Sequence, residues 1–198
     1  MSAITISRQM GSQGDELAAQ VAQRIGWRWV GRDIINQAAL AAGVPQVALA
    51  EIDELGFLGL RPSAKDRQLY QNQVERILRD LADEGSVVIV GRGSQIVLGS
   101  RPDVLRLRVI APLTGRIAWL QEQKVISLEA ARAWLEASDK ARARYLRRSY
   151  GVQVDDPTLY HLVINTGLLG LGPAVDLVVC TLQAWSKSRG AQKEVPIV

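Results

Sequence analysis

This chain is poor in the residues that most often mark a redox or metal site: 198 residues contain one cysteine and one histidine. Cys180 lies in the apolar run Val178-Val179-Cys180, so neither a disulfide framework nor a cysteine cluster for a metal is available. That fits a reducing compartment. Aromatic residues make up only 5%. No apolar run approaches the roughly 20 residues needed to span a bilayer, and the first residues lack the basic and apolar regions of a secretory leader. A cytoplasmic protein without a membrane span is expected. Neither sign of charge dominates: 24 basic and 20 acidic residues give a net +4. That balance favours anionic ligands in general without singling out nucleic acid.

The remaining composition is ordinary globular material. An apolar content of 47% and a charged content of 22% suit one domain with a substantial core. Ala3 to Ile6 read as a first strand, and Asp15 to Ile25 as a helix that Gly26 stops. Trp27 to Val30 form a short strand and Asp33 to Ala42 a helix. From 43 to 62 the pattern weakens into interleaved Gly, Pro and apolar residues, which suits a mobile segment covering a ligand. Ala64 to Asp83 are a strong helix, Val87 to Val90 a buried strand, and Val104 to Ile110 another strand. Ser127 caps a helix reaching about Tyr150, Leu159 to Ile164 form a last strand, and Gly172 to Trp185 a last helix. Residues 186–198 read as a loose tail. Strands alternating with helices predict an α/β fold, a three-layer sandwich on a mostly parallel five-stranded sheet.

Function is concentrated at Gly11-Ser12-Gln13-Gly14, between the first strand and the first helix. A strand running through glycines into a helix presents unpaired N–H groups and the positive end of the helix dipole, a site for anions. The lysine and Ser/Thr that complete a Walker-type loop are missing, and Asp15 and Glu16 stand at the helix start. A carboxylate about 4 Å from a phosphate costs on the order of 4 kcal/mol at an effective dielectric near 20. If Asp15 faced the loop, nucleotide affinity would fall several hundredfold or more; an Asp15 pointing outward, or charge lent by Arg8, would relieve that. A tight turn whose acids merely complement the helix dipole is the competing reading.

Arg92 follows a buried strand at its carboxyl end, between Gly91 and Gly93, where open α/β sheets bind ligands. Lys140, Arg144, Arg147 and Arg148 share one helical face, while Arg142 points elsewhere. His161 sits in a strand pattern and reads as structural. Asp155 and Asp156 precede Pro157 as turn residues. Trp27, Trp29, Trp119, Trp134 and Trp185 are scattered through apolar stripes and read as core or interface.

Taken in order, Ile4-Thr5-Ile6-Ser7-Arg8, Gly11-Ser12-x-Gly14, Val88-Ile89-Val90-Gly91-Arg92-Gly93, Asp139 to Tyr145 and Ile164-Asn165-Thr166 resemble the cytidylate kinase-like family of P-loop proteins. The resemblance runs from Ile4 to about Leu177. It implies a nucleoside monophosphate kinase fold over 1–185, with an acceptor-side segment at 43–62 and a helical lid at 127–156. It also implies ATP as donor, Mg²⁺ carried through the nucleotide phosphates, no protein metal site, and CMP or dCMP as acceptor. Arg8, Gly11, Ser12, Gln13 and Gly14 would hold donor phosphates, Arg92 the acceptor phosphate, and Arg142, Arg144 and Arg148 the transferring group. Two departures stand out. A typical member has Gly-Ser-Gly-Gly-Arg where this chain has Gly11-Ser12-Gln13-Gly14-Asp15, and an acid is replaced by Gly31, with Asp33 nearby as its substitute. A non-catalytic nucleotide- or phosphate-binding regulator on the same fold is the alternative. The modest charge and lack of interleaved aromatics argue against a nucleic-acid partner. Phe57-Leu58-Gly59-Leu60 suits an interface between two copies.

Overall fold

The computed structural model describes residues 1–46, 48–49 and 63–192. The Phe57 to Leu60 patch and most of the expected acceptor-side segment lie outside these residues.

Five parallel strands form one sheet in the order β2-β3-β1-β4-β5. They are β1 (Ala3–Arg8), β2 (Arg28–Val30), β3 (Val87–Val90), β4 (Val104–Ile110) and β5 (Leu162–Asn165). The helices are α1 (Gly14–Ile25), α2 (Arg32–Ala41), α3 (Ala64–Glu84), α4 (Ser94–Val97), α5 (Leu113–Lys124), α6 (Leu128–Tyr150), α7 (Thr166–Leu169) and α8 (Leu171–Gln192). Every residue of β1 and β3 is buried, as a strand covered on both faces requires. Alternation then sorts the side chains into two layers. Ile4, Ile6, Val88, Val90, Leu105 and Leu107 meet Leu17 and Val21 of α1 and Val175 and Val178 of α8. On the other face Ala3, Val87, Ile89 and Val104 meet Ile35 of α2 and Tyr70, Val74 and Leu78 of α3. Each fully buried Leu or Ile of this kind contributes about 1.5–3 kcal/mol.

Helix boundaries follow local chemistry. Ser63 and Asp66 cap α3 reciprocally, Ser127 accepts from the Ala130 N–H at the start of α6, and Gly151 closes α6 in the left-handed region. The α5–α6 hairpin carries its own small core of Ile117, Leu120, Ala131 and Leu135, separate from the two layers on the sheet.

Three expectations shift. The last strand begins at Leu162 rather than Leu159, because Pro157–Leu159 form a 3-10 turn capped by Asp156. Two short helices, α4 and α7, were not expected; α4 follows directly on Gly93, a residue at φ 70°, and α7 directly on the end of β5. The final helix continues to Gln192, so residues 186–192 are helical rather than a loose tail.

Candidate functional site

The carboxyl ends of β1, β3 and β4 converge on the glycine loop, and the loop is tied down from several sides. Ser12 is buried, and its hydroxyl donates to Gln9 O at 2.8 Å. Thr166, at the end of β5, donates to Ser12 O at 2.7 Å. Gln9 Oε1 accepts from the Ala111 N–H at 3.1 Å. Gly11, at φ 75°, lies against the backbone of Arg116 on α5, so a Cβ there would come within 3.0 Å of Arg116 O. Arg116 is itself buried, donating to Asp139 of α6 at 2.8 Å and to Met10 O at 3.4 Å. Asp139 therefore belongs to this brace between hairpin and loop.

Gln13 caps α1 in the left-handed region at φ 56°, a conformation that costs a side-chain-bearing residue about 1–2 kcal/mol. The amides of the first turn begin directly after it. Asp15 faces Arg8, whose Nε donates to Asp15 Oδ2 at 3.2 Å; the carboxylate is 51% exposed and the arginine side chain 9%. The Arg8 side chain fills the space above Gly14 so closely that a Cβ on Gly14 would lie 2.5 Å from Arg8 Cβ. Its far end runs on to Gly91, where a Cβ would meet Arg8 Nη1 at 3.0 Å. The cation that the helix start lacks is thus supplied from the end of β1.

Gly91, Arg92 and Gly93 all have positive φ, at 84°, 55° and 70°. A positive φ at a side-chain-bearing residue costs about 1–2 kcal/mol, and Gln13, Ser86 and Val125 share it with Arg92. Asn36 of α2 holds the side chain: Arg92 Nε donates to Asn36 Oδ1 at 3.1 Å, and the Tyr70 hydroxyl donates to the same oxygen at 3.3 Å. Burial raises the Tyr70 phenol well above its ordinary value, so it remains a donor.

Arg8, Arg92 and Arg142 line one small cavity of about 50 Å³, with no acid among its described lining residues. Since a water needs at least about 10–15 Å³ on this measure, there is room for a few waters or one small oxyanion. Gln95 and Tyr145 also face it, and burial raises the Tyr145 phenol above its ordinary value. Arg8 and Arg142 line a second, larger cleft of about 520 Å³ as well, together with Gly11, Asp15 and Asp33. Asp33 is mostly exposed and paired with Arg32 at 3.4 Å. Arg144 is exposed, and Arg148 lines a different recess with Arg67, Tyr70 and Gln71. Of the three lid arginines expected from sequence, the structure brings one, Arg142, to the cavity with Arg8 and Arg92.

Several contributors lacked a sequence signal. Asn36 is one polar residue on a helix. Arg116 sits in a helix with no motif around it. Arg108, buried in β4, donates to Ser7 Oγ at 2.9 Å and Asp155 at 3.0 Å and backs the cavity wall. A buried arginine in a strand is detectable only as a break in an apolar run. Among the described residues no three His, Cys, Asp or Glu side chains gather as a metal site, and no helix is long and apolar enough to cross a membrane.

A parallel sheet with β1 at its centre, a glycine loop at the start of α1 and arginines grouped across that loop define the class of P-loop kinase folds. The shikimate kinase of Bacteroides thetaiotaomicron shares the fold, with a TM-score of 0.57 at 13% identity over 92% of this chain and 98% of that one. An uncharacterized protein from Eubacterium ventriosum is more similar in shape, with a TM-score of 0.75 at 18% identity over 92% of this chain and 99% of that one. Residues 3–168 match the cytidylate kinase-like family, and the chain belongs to it. A cytidylate kinase from Pyrococcus horikoshii is 30% identical over 165 residues, covering 82% of this chain and 79% of that protein. The protein is thus a nucleoside monophosphate kinase-like protein.

Proposed function

We propose that this protein transfers a phosphoryl group from ATP to a nucleoside monophosphate, with CMP or dCMP as the first acceptors to test. The observation that carries this reading is the convergence of Arg8, Arg92 and Arg142, from β1, the end of β3 and the hairpin, on one acid-free cavity. Phosphoryl transfer needs little covalent chemistry from the protein; it needs positive charge and geometry around a loose, anionic transition state. Forked guanidinium groups supply both.

In this reading the loop amides from Gln13 onward hold donor phosphates, while Ser12 and Thr166 keep the loop in shape. Arg8 replaces the missing lysine. Its bond to Asp15 both fixes it and cancels part of the repulsion that Asp15 would exert on a phosphate. Arg92, oriented by Asn36, holds the acceptor phosphate, and Arg142 brings charge to the transferring group from α6. Mg²⁺ would arrive on the nucleotide phosphates. The family resemblance of the chain and the cytidylate kinases among its relatives support the donor and acceptor classes.

The test is ADP formation from ATP and Mg²⁺ with CMP, dCMP, UMP, AMP and GMP, beside an active kinase as control. Turnover that disappears in Arg92→Ala supports the reading. No turnover with any acceptor rejects it.

A further inference from the structure

The tryptophans divide by location. Trp27 packs against the sheet core, and Trp185 meets His161 edge to face at 4.4 Å between ring centres. Trp29 of β2, Trp119 of α5 and Trp134 of α6 all line the 520 Å³ cleft that begins at Arg8 and Arg142. An edge strand and both helices of the α5–α6 hairpin thus bring indoles to one space, within the size range of small-molecule sites. Trp119 and Trp134 also pack on the hairpin core, which fixes them in place, whereas Trp29 is 41% exposed on an edge strand. Trp134 Nε1 is buried and makes no hydrogen bond among the described residues.

The chemistry of the remaining wall narrows the occupant. Met10, Ile34 and Leu120 add apolar surface, and no amide or hydroxyl side chain is among the described lining residues. The two acids on this wall, Asp15 and Asp33, are already paired with Arg8 and Arg32. A polyol would find few open partners here, but a flat aromatic ring would find indole faces. Lys124 adds a further cation to this wall, and Arg8 and Arg142 are shared with the acid-free cavity, which concentrates positive charge where the two spaces join. The space therefore suits a molecule that is anionic at one end and a planar ring at the other.

We infer that this cleft receives the nucleobase of the acceptor, stacked on Trp29 and flanked by Trp119 and Trp134, with its phosphate held by Arg92 in the adjoining cavity, beyond the shared Arg8 and Arg142. The inference rests on the kinase reading for the acceptor class, but it is tested by binding alone, without ATP. Base–indole stacking contributes on the order of tenfold or more to affinity per base. Calorimetric titration of the full chain with CMP, UMP, AMP and GMP is compared with ribose 5-phosphate, which has the phosphate and no base, with tryptophan fluorescence followed in parallel.

At least one nucleotide is expected to bind roughly tenfold or more tightly than ribose 5-phosphate and to quench fluorescence. Trp29→Ala, at an exposed position, is expected to remove that advantage and leave ribose 5-phosphate binding unchanged; Trp119→Phe is expected to preserve it. Equal affinity for nucleotides and ribose 5-phosphate, equal weakening of both by Trp29→Ala, no effect of Trp29→Ala, or no nucleotide binding overturns the base site. Base-dependent binding without any ADP formation would instead reject the kinase reading and leave the base site standing.

Discussion

The glycine loop and the arginine cavity lie on two sides of one side chain, Arg8, and they are built in opposite ways. The loop is crowded and closed by short contacts: Ser12 to Gln9, Thr166 to Ser12, Gly11 under Arg116, Gly14 under Arg8. Its own residues carry little cationic charge. The cavity is the reverse, rich in guanidinium groups and left with open space. The loop is a shaped backbone that borrows its charge, and the cavity is a concentration of charge that relies on neighbours such as Asn36 for shape. Substitutions in the first region should therefore affect stability more than chemistry, and substitutions in the second the opposite.

The largest expected effect is on activity. Arg142→Ala is expected to lower kcat/KM for phosphoryl transfer by roughly 10²–10³ while the unfolding midpoint in urea barely moves. Arg148→Ala, in its separate recess, is expected to change kcat/KM far less. Steady-state kinetics on both variants would break the comparison if the two losses were equal.

A smaller effect is expected on stability in the loop. Gly14→Ala forces a methyl group into space held by Arg8 and is expected to cost about 1–3 kcal/mol. Thr166→Val removes the hydroxyl bond to buried Ser12 O and is expected to cost about 1–2 kcal/mol. Urea unfolding measures both. An unchanged midpoint in Gly14→Ala would mean that Arg8 does not pack over the loop.

The smallest effect concerns acid, at the end of the sheet away from the site. Arg101 beside Asp103 holds that carboxyl at about 2, below its ordinary 3.8. A depressed folded-state value stabilises the fold above pH 3.8, and that stabilisation is lost as pH falls from about 4 towards 2. Asp103→Asn should flatten this part of the stability profile and leave nucleotide binding at pH 7 untouched. Chemical denaturation across pH 2–5 would show it, and an unchanged slope would sink the assignment.

Much of the architecture was legible in the sequence because burial on both sheet faces leaves a strong mark. Val87 to Val90 could hardly be anything but an inner strand, and Ser127 and Gly151 announce the ends of α6. Candidate site positions were legible where glycine is required, by positive φ at Gly11, Gly91 and Gly93 and by the crowding of Arg8 at Gly14. It was less so where three-dimensional placement decides. On α6 the conspicuous basic stripe of Lys140, Arg144, Arg147 and Arg148 drew attention by its regularity, yet the residue at the cavity is Arg142, the one off that stripe. Regular spacing reports a shared face and does not say which face meets the ligand. The same limit hid the three tryptophans, where Trp29 of β2 joins two residues of the distant α5–α6 hairpin, and Arg116, whose partners lie 23 and 106 residues away.

Arg8, by filling the space above Gly14, has a consequence for any redesign of the loop. The Arg8 side chain and any side chain at residue 14 compete for one volume, so a cation cannot be added at 14 while Arg8 keeps its place. Adding lysine at 14 would displace Arg8 before the new cation was of use, and losing Arg8 first would leave the loop with neither. A redesign that seeks a cation at 14 must therefore shorten residue 8 in the same step, and the two replacements can be judged only as a pair.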